Sequence, residues 1–138
     1  MTVLVAYDGS DPAQKALHHA ATHYPDDEIV LLRVIEAADG SLEAGIGLVQ
    51  EKLKQRRQET EREISAEVGA LIQRDDLELR TEIKVGKPAR VIVDFAETHD
   101  VECIVIGNHG REGVSRVLLG SVAERVVRRA PTTVTVVR

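Results

Sequence analysis

The sequence predicts an α/β domain, a three-layer sandwich built on a five-stranded, mainly parallel sheet, and three observations carry that prediction. Short apolar runs of strand length alternate with longer segments of helical periodicity from one end of the chain to the other. Two of those runs, Glu28 to Ile35 and Val101 to Ile106, are apolar at successive positions, which suits strands covered on both faces inside a parallel sheet. Segment boundaries carry turn and cap chemistry where the alternation requires it.

The elements follow in order. Thr2 to Tyr7 is a strand-length apolar run that ends at Asp8-Gly9-Ser10-Asp11-Pro12. Ser10 suits the N-cap of a helix and Pro12 its first turn. Ala13, Ala16, Leu17, Ala20, Ala21 and Tyr24 then recur at helical spacing, and Pro25-Asp26-Asp27 breaks the helix. Glu28 to Ile35 is the second strand. Ala37 to Gly47, with three glycines, reads as a connection. From Leu48 to about Arg74 a long charged helix is expected, with Ile64, Val68, Leu71 and Ile72 on its core face. Its block from Glu51 to Glu63 mixes both charge signs and reads as solvated surface. Leu77 to Val85 alternates apolar and polar, the mark of a strand covered on one face. Gly86-Lys87-Pro88 opens a helix that buries Val91, Ile92, Phe95 and Ala96, and Val101 to Ile106 is the fourth strand. A helix from Ser121 to Ala130 places Val122, Ala123, Val126, Val127 and Ala130 on one side. Thr132 to Val137, rich in β-branched residues, closes the chain as a strand.

Composition bounds the function. The length of 138 residues fits one domain, residues 1–138. The net charge of −5 and the scarcity of aromatic residues (Tyr7, Tyr24 and Phe95) argue against nucleic acid, which calls for a basic field or stacking platforms. No run approaches the length of a membrane span, and the N-terminal stretch lacks a basic segment and a signal-length apolar core, so a cytoplasmic protein without membrane contact is expected. Cys103 is the sole cysteine, which excludes an internal disulfide, and its apolar run makes it a small core residue. His19 and His23 have the i, i+4 spacing of two metal ligands, yet no H-E-x-x-H accompanies them and they avoid the apolar face of their helix; no metal ligand set is assigned.

In open α/β sheets ligands bind beyond the C-terminal ends of the strands where strand order reverses. That places a candidate site at Asp8-Gly9-Ser10 and at the segment from Gly107 to Ser121. Gly107 and Gly110 permit positive φ and let backbone approach an anion without an intervening Cβ. Gly120 and Ser121 stand where a helix begins, and the free N–H groups and dipole there favour anions. Arg111 or Arg116 could neutralise charge from the loop. A plainer role is open for each residue: Ser121-Val122-Ala123-Glu124 fits a capping box, the glycines could be turn formers, and Asp8 could brace its own turn. No G-x-x-x-x-G-K-S/T and no G-x-G-x-x-G follows a strand; Pro88 stands where a Walker loop beginning at Gly86-Lys87 needs a hydroxyl.

The pattern G-x2-G-x9-G-S, filled by Gly107, Gly110, Gly120 and Ser121, resembles the ATP-binding signature of universal stress proteins. The opening Val3-Leu4-Val5-Ala6-Tyr7-Asp8-Gly9-Ser10, the run Leu32-Arg33-Val34-Ile35, the turn Gly86-Lys87-Pro88-Ala89 and the closing Val134 to Val137 extend the resemblance along nearly the whole chain. It implies a Rossmann-like fold of the adenine-nucleotide alpha-hydrolase type. It also implies ATP, with phosphates and ribose held by Gly107, Gly110, Gly120, Ser121 and Val122 and adenine set against Ala6, Tyr7, Asp8, Val34 and Ile106. The chain departs from the pattern at Thr133, where proline is common, and at Asn108, where small hydroxyl residues are common.

The function this implies is a nucleotide-dependent regulatory module of the stress response with slow or no hydrolysis, acting on a protein partner the sequence does not name. Any Mg²⁺ would ride on the phosphates. The alternative is a nucleotide hydrolase or phosphotransferase using the same pocket. His109 sits in the loop without an evident titratable partner, so no catalytic residue is assigned. A receiver domain is excluded, because its phosphorylatable Asp would follow the third strand, which here ends Lys84-Val85-Gly86. The last strand carries no proline or charge to blunt an exposed edge, and the resemblance implies a homodimer paired through it.

Overall fold

The computed structural model describes residues 1–36, 46–72, 76–108 and 119–138. Its elements run β1 (Thr2–Ala6), α1 (Asp11–His23), β2 (Glu28–Ile35), α2 (Ile46–Leu71), β3 (Leu79–Val85), α3 (Pro88–Thr98), β4 (Val101–Gly107), α4 (Ser121–Arg129) and β5 (Thr133–Val137). The five strands form one sheet in the order β3-β2-β1-β4-β5, and every pair is parallel. After β1 the chain builds outward through β2 to β3, then returns to lay β4 against the other side of β1. The reversal of strand order therefore falls between β1 and β4.

Alternation along the strands sorts the core into two layers. Val3, Val5 and Tyr7 of the first segment, Ile29 and Leu31 of β2, and Cys103 and Val105 of β4 share one face with Ala13, Ala16, Leu17 and Ala20 of α1 and Ile64 of α2. Leu4, Val30, Leu32, Ile104 and Ile106 share the other with Ile92, Phe95 and Ala96 of α3 and Ala123 and Val126 of α4. Burial on both faces explains why β2 and β4 read as continuous apolar runs. Small alanines on α1 let that helix lie close to the sheet without large side chains between them.

Local chemistry fixes the helix starts. Ser10 caps α1, its Oγ accepting from the N–H of Ala13 at 3.3 Å, with a proline in the first turn. Pro88 begins α3, its fixed φ suiting the first helical position. Gly86, at φ +151°, turns the chain out of β3 in a region that favours glycine.

Two apolar faces are narrower than periodicity predicts. Val127 is 45% exposed and Leu71 is 40% exposed. Each α-helical residue turns about 100° from its neighbour. Val127 therefore rotates clear of the face that Ala123 and Val126 press on the sheet, and Leu71 falls outside the line of Ile64, Val68 and Ile72 that meets the first core layer. Among the described residues no helix is long and apolar enough to cross a membrane.

Candidate nucleotide site

β1 ends at the crevice where strand order reverses, and the turn that follows is tightly organised. Gly9 has φ +82°, a left-handed conformation that side chains rarely adopt. Asp8 Oδ1 accepts from the backbone N–H of Ser10 at 3.0 Å and also from the Ser10 hydroxyl. Gln14 Nε2 donates to the carbonyl of Gly9 at 3.2 Å. Asp8 thus braces its own turn while remaining exposed at the edge of the crevice.

Tyr7 faces the other way. It is 2% exposed, packs in the α1 layer, and its hydroxyl donates to Glu67 Oε2 of α2 at 2.6 Å. Burial, reinforced by the adjoining Glu67 carboxylate, pushes the phenol well above its ordinary range, so Tyr7 stays a proton donor. The same carboxylate lies alongside Gly9, its oxygens 3.6 and 3.7 Å from where a Cβ would stand. One acid on α2 therefore underpins the end of β1.

On the facing side, Gly107 is the last residue of β4. A Cβ there would stand 2.4 Å from the carbonyl carbon and oxygen of Pro12. The expectation that Gly107 adopts a positive φ is corrected, since positive φ among the described glycines belongs to Gly9 and Gly86; the absent Cβ admits the first turn of α1, and Gly107 also borders the cavity. Asn108 follows, its N–H donating to the Val137 carbonyl at 2.8 Å and its Oδ1 accepting from the N–H of Gly120 at 2.9 Å.

α4 begins without a side-chain cap. Gly120 is its N-cap, and the Gly120 carbonyl accepts from the N–H of Glu124 at 2.9 Å. Ser121 is the first helical residue, so the capping-box expectation is corrected: the hydroxyl stands one position too late to reach back over the first turn. A helix leaves its first N–H groups without intrahelical partners, and here they open toward the crevice.

Between these segments lies a cavity of about 410 Å³. Ala6, Tyr7, Asp8, Val34, Ile106, Gly107, Gly120, Ser121 and Val122 all line it. Gly110 and Arg111, with Arg116 and His109, lie outside the described residues. Ala13, Leu32, Ile35, Pro88 and Ile92 extend the apolar wall, while Arg33, Glu36 and Arg56 add charge. The size falls within the range of small-molecule sites, roughly 300–1,000 Å³. An apolar wall at one end and unpartnered amides with a hydroxyl at the other match a molecule that is part flat ring and part anion.

Arg33, Glu36 and Arg56 are charged lining residues that the sequence reading missed, Arg56 because it was counted with the solvated block of α2. For Arg56 the signal was there: Leu53, Arg56, Thr60, Ile64 and Glu67 are spaced three or four residues apart, the stripe of a single helix face. Thr60 and Ile64 on that stripe are buried. Among the described residues no cluster of three or more His, Cys, Asp or Glu side chains could hold a metal ion. His19 and His23 stack with ring centroids 4.1 Å apart, and His23 Nδ1 lies 2.9 Å from the His19 carbonyl, so that ring nitrogen is committed to the backbone.

Fold and cavity together are those of an α/β protein with an open cavity at its topological switch point. The sequence profile of the universal stress protein family matches residues 1–138, and the chain belongs to that family. It is 34% identical over 146 residues to a universal stress protein of Methanocaldococcus jannaschii, covering 99% of this chain and 81% of that one. Among solved structures it is similar to the universal stress protein UspA from Lactobacillus plantarum, with a TM-score of 0.78, 27% identity, and coverage of 100% and 97% of the two chains. A universal stress protein in complex with cAMP shares the fold at a TM-score of 0.69 and 23% identity, covering 100% of this chain and 97% of that one. A family protein from Arabidopsis thaliana with AMP bound shares it at a TM-score of 0.63 and 18% identity, covering 99% and 90%.

Proposed function

We propose that this chain is a nucleotide-dependent regulatory protein of the stress response that binds ATP in the crevice between β1 and β4. The single observation that carries the reading is the cavity of about 410 Å³, which joins an apolar wall to the uncapped start of α4. Ala6, Val34 and Ile106 would take the adenine, with Asp8 at its edge or on the ribose. Ser121 and Val122 would take the phosphates through their backbone N–H groups and the Ser121 hydroxyl, with Gly120 beside them lacking a side chain to obstruct the approach, aided by the helix dipole. Gly110 and Arg111 belong to the same proposal through the family signature alone. Relatives of the same fold that hold AMP and cAMP support the ligand class.

Mg²⁺, where it accompanies ATP, would be held through the phosphates, since it retains most of its water shell. In this reading the protein's part is to bind and orient, with hydrolysis slow or nil. A cytoplasmic site of action and a partner protein that reads nucleotide occupancy complete the proposal. So does a homodimer paired through β5, an edge strand of the sheet.

Titration calorimetry with ATP, ADP and AMP tests the reading: saturable binding is expected, and absence of saturation at millimolar nucleotide would overturn it. Single-turnover assays with magnesium separate the regulatory module from a hydrolase, because turnover well above about one per minute points to an enzyme, typical enzymes running near 10 per second. A light-scattering mass equal to one chain at micromolar concentration would remove the dimer.

A further inference from the structure

We infer that Arg56 of α2 closes the base end of the nucleotide cavity, laying its guanidinium plane on the purine ring rather than pairing with the phosphates. This rests on the nucleotide reading above and adds to it a residue that the glycine signature does not contain.

The argument begins with length. α2 has 26 residues and β2 has eight, so the helix is about 39 Å long against about 26 Å for the strand. The helix is fixed to the body near its C-terminal half, where Ile64 is buried and Val68 and Ile72 pack against the same layer. Its N-terminal part therefore continues past the C-terminal ends of the strands, over the mouth of the crevice. Arg56 lies eight residues before Ile64, about 12 Å toward that overhanging end, exposed and in the lining of the cavity.

Position in the sheet decides which end of a ligand Arg56 meets. α2 packs against β3, the edge strand beyond β2. The uncapped start of α4 belongs with β4, on the far side of β1. Two strand spacings separate β2 from β4, close to 10 Å. A ligand with its phosphates on α4 therefore presents its ring toward the β2 side of the cavity, where Val34 and Arg56 both line the wall.

Chemistry agrees. Among the described residues Arg56 has no ion pair or hydrogen-bond partner, so its guanidinium is available to a ligand. A planar, weakly hydrated guanidinium stacks on an aromatic face, which a lysine ammonium does far less well. Among the described residues the only aromatic side chain in the cavity lining is Tyr7, and its ring is held in the core.

The test compares wild type, Arg56→Ala and Arg56→Lys for binding of adenosine, AMP and ATP, with melting temperature as a control on folding. Loss of the stacking plane should weaken all three ligands alike, by about five- to tenfold, and Arg56→Lys should behave like Arg56→Ala. A loss confined to ATP and restored by lysine would make Arg56 a phosphate counter-charge and overturn the assignment. Equal affinities in all three proteins would also overturn it while leaving the nucleotide reading intact. Failure of wild type to bind any of the ligands would overturn both.

Discussion

Asn108 Oδ1 accepts a hydrogen bond from the N–H of Gly120 at 2.9 Å, so one amide side chain ties the end of β4 to the start of α4. The two residues stand twelve positions apart in the chain. The tie uses one amide hydrogen at the helix start and leaves those of the first turn beyond it for other acceptors.

Removing that tie should separate folding from binding. Asn108→Ala leaves a part-buried N–H without its acceptor and should destabilise the protein by about 0.5–1.5 kcal/mol. Asn108→Asp keeps an acceptor and favours the helix dipole, so its melting temperature should hold. The added carboxylate should nevertheless repel phosphates and lower ATP affinity. Calorimetric melting and ATP titration of both variants make the comparison; an Asp variant that binds ATP like wild type would move the phosphates away from α4.

Gly107→Ala should destabilise the fold whether or not nucleotide is present. The new Cβ meets the Pro12 backbone at 2.4 Å, and neither the end of a central strand nor a helix start yields easily. A loss of about 1–3 kcal/mol is expected from such overpacking. Urea unfolding with ligand absent measures it, and a wild-type midpoint would contradict the contact.

Ser121→Ala makes the opposite prediction. Because Gly120 is the N-cap and Ser121 makes no capping bond, stability should stay within about 0.5 kcal/mol of wild type, as for a surface change. Affinity for ATP should fall several-fold through loss of the hydroxyl. A drop in melting temperature with unchanged affinity would restore the capping role.

Tyr7 should give the protein an alkaline weakness. Its phenol is raised in the folded state by burial and then by Glu67, relative to about 10 in an unfolded chain. The folded state therefore favours the protonated form. That contribution is complete below pH about 10 and is lost as pH climbs above it. Tyr24, raised chiefly by its hydrogen bond to Cys103, acts in the same direction, so the difference between wild type and Tyr7→Phe isolates Tyr7. Tyr7→Phe should cost about 1–2 kcal/mol near neutrality, where a hydrogen bond to a carboxylate is lost, with the gap to wild type narrowing above pH 10. A constant gap across that range would show that the phenol does not titrate differently on folding.

Strand positions and the location of the site were legible because both follow from local pattern. Glu28 to Ile35 reads as a strand and is β2 to the residue, and the alternation of elements points to the crevice after β1 and β4. What periodicity does not reveal is which part of a helix face the rest of the molecule covers. Val127 and Arg56 depart from expectation in opposite ways for that reason: an apolar residue left exposed, and an exposed charged one that borders the cavity. Ser121 was ambiguous because cap and first helical position differ by one residue, which only backbone geometry separates. The bond from Tyr7 to Glu67 spans sixty positions, and no local signal announces it.

The contact between Gly107 and Pro12 also bears on how this signature diagnoses binding in other chains. A chain of this architecture that held no nucleotide would still be obliged to keep glycine at the end of β4, since α1 could not otherwise settle on the sheet. Retention of that one position therefore reports architecture, and the burden of distinguishing binders from non-binders shifts to the glycine and hydroxyl at the start of α4.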